Sequence, residues 1–242
     1  PNTGTPEPFY TLHVVVGTMA VDQVKARAKA YGATVTEYLT AALLQVIARR
    51  QDRENPHRKR PVALVVPVNL RSFFPSETLR NFILTVRPVI DPSLGDYTFP
   101  EIVAQVRSYL KLWSDPHKLR ALITRNVGFT TNRFLQLVPV ALKNPILALN
   151  YRWGGTRPYS GTISNPGQVR LPPQMAPHID HVEVILGQAT VPRSHCCVVS
   201  CNDTMAISFA GTLKETDTPR DFFRFLVKEG IRVKVTANDT GP

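Results

Sequence analysis

The sequence predicts an α/β domain: a mixed sheet flanked by helices. Three observations predict it. Residues 62–68 form a dense apolar, β-branched run of strand length, the pattern of a strand buried on both faces. Thr34 and Thr98 each precede a glutamate by three residues, Glu37 and Glu101, at the head of a long apolar-periodic segment. That spacing is a capping box, in which each side chain satisfies a free backbone amide of the other residue. Near the end, Asn202-Asp203 separates two apolar runs and marks an antiparallel hairpin. Strands and helices alternate along the chain, which places helices against a sheet.

Taken in order, residues 1–9 are rich in Pro, Thr and Gly and read as a linker or an artificial chain start. One domain is expected over 10–235, with 236–242 as a tail. Residues 10–16 predict a strand, and 21–31 a helix that stops before Gly32. The helix opened at Thr34 carries Leu39, Leu43, Val46 and Ile47 and is expected to reach Arg50, with a charged loop over 51–60. Strands follow at 62–68 and 82–90, the second closed by Asp91-Pro92. Thr98 opens a helix to Trp113, with Pro100 inside its first turn. Residues 119–150 read as helical, broken near Gly128, Pro139 and Pro145. Short strands are expected near 161–164, 181–186, 195–201 and 205–210. The last alternates Met205, Ile207 and Phe209 against Ala206, Ser208 and Ala210, two distinct faces. A final helix, capped near Thr218, bears Phe222, Phe225 and Leu226.

Composition bounds the function. The chain has 242 residues with 43% hydrophobic and 19% charged, which suits one large globular domain and argues against disorder. Its apolar segments are too short for a membrane-spanning helix, which needs about 20 residues, and residues 1–17 carry no signal-peptide pattern. The first methionine is Met19, so the chain reads as an excised domain or processed fragment. The net charge of +11 favours anionic partners. Nucleic acid is disfavoured among them, because basic residues are not interleaved with aromatics in a recognised binding pattern. Cys196, Cys197 and Cys201 have neither disulfide nor zinc-site spacing and read as small core residues of a reduced, cytoplasmic protein. No GxSxG, GxGxxG, phosphate loop or HExxH occurs.

Three stretches carry a resemblance. They are Gly32-Ala33-Thr34-Val35-Thr36-Glu37-Tyr38-Leu39, then Val65-Val66-Pro67-Val68-Asn69-Leu70-Arg71 followed by Leu79-Arg80-Asn81-Phe82, then Gly161-Thr162-Ile163-Ser164-Asn165-Pro166-Gly167. In this order and spacing they resemble the superfamily of chloramphenicol acetyltransferase, dihydrolipoyl acyltransferases and peptide-synthetase condensation domains. The second stretch is most similar to the bacterial alcohol acetyltransferase-like branch.

The resemblance implies one lobe of the CoA-dependent acyltransferase fold over 10–235. In that superfamily the active site is a tunnel between two lobes or subunits. A histidine of an HxxxDG motif takes a proton from an alcohol, thiol or amine, which then attacks an acyl thioester; a donor across the tunnel stabilises the oxyanion. Acyl-CoA or an acyl carrier protein supplies the thioester as co-substrate, and no covalently bound cofactor is implied. Ser164 matches the serine of the TISNLG-like segment and is the implied oxyanion donor, with Pro166 where leucine is usual. Read from residue type alone, Ser164 and Asn165 also suit a strand-end turn. Asn165, Asn69, Arg71 and Asn81 are candidate substrate-binding residues; the alternative for Arg71 is a carboxylate pair that fixes a strand-end loop.

The base is missing. Where it is due, after residues 205–210, the sequence reads Gly211-Thr212-Leu213-Lys214-Glu215-Thr216-Asp217, and His13, His57, His117, His178, His181 and His195 lack the DG partner. The chain therefore resembles the second, C-terminal lobe of a two-lobed relative. It is inactive alone, and its implied partners are an N-terminal lobe bearing HxxxDG and an acyl-CoA or acidic carrier protein. The alternative is a non-catalytic lobe that binds a carrier protein, CoA or another macromolecule. An isolated lobe exposes its partner face, so self-association is expected. The basic cluster Arg49, Arg50, Arg53, Arg58, Lys59 and Arg60 is either a phosphate- or carrier-binding patch or a solvated loop.

Overall fold

The structure is a computed structural model that describes residues 5, 7–8, 11–57, 59–131, 137, 139–150, 159–187 and 194–238. Strand β1 (His13–Ala20) leads directly into α1 (Val21–Ala30), which buries Val24 and Ala28, one turn apart. Gly32, at φ +64°, turns the chain into α2. That backbone region favours glycine. Helix α2 (Val35–Glu54) opens at the expected capping box: Thr34 Oγ1 accepts from Glu37 N, and Thr34 N donates to Glu37 Oε2. It continues one turn past Arg50, and residues 38–47 are buried all round. It is the central helix of the core.

Strand β2 (Val62–Asn69) pairs antiparallel with β3 (Ile83–Val86) and β4 (Val89–Ile90). The single strand expected over 82–90 is thus two. Pro88 lies between them; it has no N–H to donate to a ladder, although its carbonyl accepts from Leu64 N. Helix α3 (Phe99–Trp113) has the second capping box and buries Phe99, Ile102, Val103, Val106 and Leu110 along one stripe. Helices α4 (Pro116–Thr131) and α5 (Val140–Asn150) follow. The expected breaks at Gly128 and Pro145 do not occur: both residues lie inside helices. Pro139 does stand outside, immediately before α5.

The rest of the sheet is β5 (Gly161–Val169), β6 (Ser194–Cys201), β7 (Thr204–Gly211) and β8 (Lys234–Ala237), with α6 (Asp217–Lys228) between the last two. The eight strands run in the order β3-β2-β5-β6-β7-β1-β8, with β4 also on β2. The β2–β5 and β5–β6 pairs are parallel, the others antiparallel. This is the mixed sheet flanked by helices that the sequence predicts. Asn202 (φ 51°) makes the β6–β7 turn. Strand β8 falls in the last residues of the domain and the expected tail. It has no burial pattern to announce it, because it is an edge strand exposed throughout, held by pairing with β1.

The strand expected at 181–186 is absent. Residues 181–187 alternate in exposure but pair with no strand among the described residues. Their apolar positions meet a sheet face instead of a sheet edge: Val184 packs on Val16, Val199 and Ala206. The three cysteines are buried and free, as expected.

The large core lies on the helix-covered face, where Met19, Ile163, Cys196, Val198, Met205, Ile207 and Phe209 meet α1, α2, α3 and α6. Gly17 is required there. A Cβ at Gly17 would clash with the edge of the Phe223 ring, so β1 runs on through residue 17 because that position has no side chain. Gly17→Ala forces the ring off its rotamer and is expected to cost about 1–3 kcal/mol, read as a lower urea midpoint with unchanged slope. Tyr38 is fully buried among Tyr31 and Phe99, and its hydroxyl has no hydrogen-bond partner among the described residues. Burial pushes that phenol up from its ordinary range. An unmatched buried hydroxyl costs about 1–3 kcal/mol, so Tyr38→Phe is expected to raise the thermal midpoint by a few degrees.

Candidate functional site

The TISNPG segment forms the middle of β5, between β2 and β6 with both neighbours parallel to it. In parallel sheets, ligands gather at the carboxyl ends of the strands; Asn69 closes β2 at that end, whereas Ser164 and Asn165 stand in the middle of β5. Strand β5 is bulged: its register with β6 shifts between Ser164 and Gly167. Each residue of the segment explains part of the bulge. Pro166 sits in it, where a missing N–H is tolerated. Gly167 has φ +91°. The Asn165 side chain locks the loop at both ends, its Oδ1 accepting from Gly167 N at 3.0 Å and its Nδ2 donating to Thr36 Oγ1 at 2.9 Å. Thr36 is in the first turn of α2. The first and third sequence stretches are thus joined by one hydrogen bond, a link that their separation by more than a hundred residues hides in the sequence.

Asn165 and Ile163 turn to the helix side of the sheet; Ser164 turns to the other. Ser164 is half-buried, pairs with Cys197 in the ladder, and its hydroxyl has no partner among the described residues. Cys197 in turn pairs with Ser208, so Ser164, Cys197 and Ser208 form a row of small side chains across three strands. Burial pushes the Cys197 thiol up. A raised thiol stays protonated near neutral pH, which makes it a lining group and not a nucleophile. The same face carries Thr162 and His195, which pair one step along the strands.

Asn69, Arg71 and Asn81 gather at the β2–β3 end. Asn69 Oδ1 accepts from Arg71 N at 3.1 Å and caps a short 3-10 turn, Leu70–Ser72. Arg71 Nη2 donates to Thr78 O and Arg80 O, each at 2.7 Å, and so ties the loop that returns to β3. Its partners are backbone carbonyls, where the alternative reading of the sequence expected a carboxylate. Asn81 is exposed and makes no hydrogen bond among the described residues. No hydrogen bond joins this group to Ser164 or Asn165 among the described residues.

The basic cluster divides. Arg50 is 6% exposed and belongs to no solvated loop: its guanidinium bonds Thr218 at 2.9 Å and Glu54 at 2.5 Å, tying α2 to α6. Arg53 bonds Asp221, and Lys59 meets Asp96 at 3.2 Å. Arg58 lies outside the described residues. Among the described residues, no cluster of three metal-ligating side chains occurs, and no helix is long and apolar enough to cross a membrane.

No protein-family model and no curated protein matches the sequence. Solved structures match across almost the whole chain. A trichothecene 15-O-acetyltransferase from Fusarium sporotrichioides is similar over 94% of this chain and 48% of its own, with TM-score 0.61 at 12% identity. A nonribosomal peptide synthetase is similar over 95% of this chain and 24% of its own, with TM-score 0.60 at 15% identity. The condensation domain that mediates chain release from the enacyloxin polyketide synthase is similar over 99% of this chain and 44% of its own, with TM-score 0.50 at 14% identity. The chain has the CoA-dependent acyltransferase fold, and it spans half or less of the length of these structures.

Proposed function

We propose that this chain is the second lobe of a two-lobed acyltransferase, moving an acyl group from a thioester to an alcohol or amine. The observation that carries the proposal is the match of nearly the whole chain to 48% of an O-acetyltransferase of the same fold. The likeness is one of fold, so the activity is inferred. The TISNPG bulge supports it, because it holds Ser164 half-buried on the sheet face away from the core helices, with its hydroxyl unpartnered among the described residues.

In the proposed reaction the catalytic histidine comes from an N-terminal lobe carrying HxxxDG. It takes the acceptor's proton as the acceptor oxygen or nitrogen attacks the thioester carbonyl. The carbonyl oxygen becomes an oxyanion, and Ser164 donates to it. Collapse breaks the C–S bond, and the histidine returns the proton to the departing thiol. Asn165 acts through the backbone by fixing the bulge. Asn69 and Arg71 shape the loop that presents Asn81 to substrate. The donor is an acyl-CoA or an acyl carrier protein, and an acidic carrier suits the +11 charge.

The absence of HxxxDG from the sequence favours one second reading, a non-catalytic lobe that binds carrier protein or CoA. Mass-spectrometric detection of acylated product separates the two. The longer, histidine-bearing protein is supplied with acetyl-CoA or an acyl-loaded carrier and a panel of alcohols and amines. Acyl ester or amide product supports the transferase. Saturable thioester binding with no product from either acceptor class supports the binding lobe.

A further inference from the structure

Helices α2 and α6 leave a pocket of about 190 Å³ between them on the helix-covered side of the sheet. Four cations ring it, Arg49 and Arg53 from α2 and Arg224 and Lys228 from α6. Each pair is spaced i,i+4, so like charges occupy adjacent turns of one helix face, an arrangement that destabilises a helix. Packing α2 on α6 then brings the two pairs together. Among the described residues Asp221 is the one carboxylate in the lining, and it is already engaged by Arg53 and Arg220. Arg49, Arg224 and Lys228 have no carboxylate partner among the described residues.

Gln45 also lines the pocket, is 3% exposed, and its Oε1 has no hydrogen-bond partner among the described residues. A buried acceptor left unmatched is costly and points to a missing donor. The cations call for an anion, and Gln45 calls for an anion that carries a proton. Hydrogen phosphate and the protonated phosphoryl group satisfy both. Sulfate carries the charge without the proton at neutral pH.

We propose that this pocket is a phosphate-binding site, in which Arg49, Arg53, Arg224 and Lys228 hold the oxyanion and Gln45 Oε1 accepts the P–OH hydrogen bond. The site is on the opposite side of the sheet from Ser164, and the proposal stands whether or not the acyl-transfer reading does. Bidentate guanidinium contacts suit phosphate.

Calorimetric titration of the full chain with inorganic phosphate and, separately, sulfate tests it at neutral pH and low ionic strength. Phosphate is expected to bind at least about tenfold more tightly than sulfate, the cost of leaving the Gln45 acceptor unmatched. The exposed double variant Arg224→Ala/Lys228→Ala is expected to weaken phosphate by about tenfold or more. Gln45→Met is expected to abolish the discrimination while leaving sulfate binding in place. At about pH 5.5, where a phosphate monoester keeps one P–OH, displacement of phosphate by glycerol 3-phosphate identifies the natural occupant as a phosphoryl group on an organic ligand; failure of displacement there identifies it as free phosphate. Equal affinity for phosphate and sulfate, no binding of either, or phosphate binding unaffected by Arg224→Ala/Lys228→Ala overturns the proposal. The wild-type comparison and the surface variant stand even if Gln45→Met does not fold.

Discussion

Truncating Phe222 to alanine is expected to cost about 3–5 kcal/mol of folding stability. Phe222 is fully buried on α6, with its ring centroid 5.2 Å from Phe209 on β7 and 5.7 Å from Phe223. Both contacts are edge-on, the geometry that aromatic quadrupoles prefer. The rings link the amphipathic face of α6 to the centre of the sheet, so their loss leaves a cavity at the seam between them. Urea unfolding followed by circular dichroism measures the cost. Phe222→Leu retains most of the volume and is expected to lose clearly less. Val227→Ala, on the same helix but 55% exposed, is expected to stay within about 0.5 kcal/mol of the parent. Equal losses at 222 and 227 would show that α6 does not pack as described.

In the proposed two-lobed enzyme, Ser164→Ala is expected to lower kcat by about 10²-fold with KM little changed, the signature of a donor that acts on the developing oxyanion and not on the bound substrate. Folding is expected to be unaffected, since the Ser164 hydroxyl has no partner among the described residues. Asn165→Ala separates site from scaffold. It breaks the bonds to Gly167 and Thr36, so it is expected to lower stability and activity together. A Ser164→Ala enzyme with unchanged kcat would leave Ser164 as a turn residue of the bulge.

Local chemistry was legible in the sequence wherever a residue acts on its near neighbours. Both capping boxes, the buried strand β2 and the two-faced strand β7 follow from spacing alone. What escaped depends on distant partners. The strand expected over 10–16 runs on through Gly17, whose place against Phe223 only the fold reveals. Residues 181–187 have a strand's alternation but lie on a sheet face, and β8 lacks alternation yet pairs with β1. Pro145 and Gly128 carry the chemistry of breakers and yet lie inside helices. At the site, the sequence located the TISNPG segment, but the reason for its asparagine is a bond to Thr36 that only the fold brings within reach. Arg50 counted as one of a basic cluster until the α2–α6 contact buried it.

The proposed division of labour between lobes is tested most directly by complementation. A histidine-bearing lobe of this fold is titrated into a fixed amount of this chain, and thiol release from acetyl-CoA is followed in the presence of a responsive acceptor. Shared catalysis predicts no release from either part alone and a rate that rises to saturation as the lobes pair. Release by the histidine-bearing lobe alone, unchanged by addition of this chain, would contradict it.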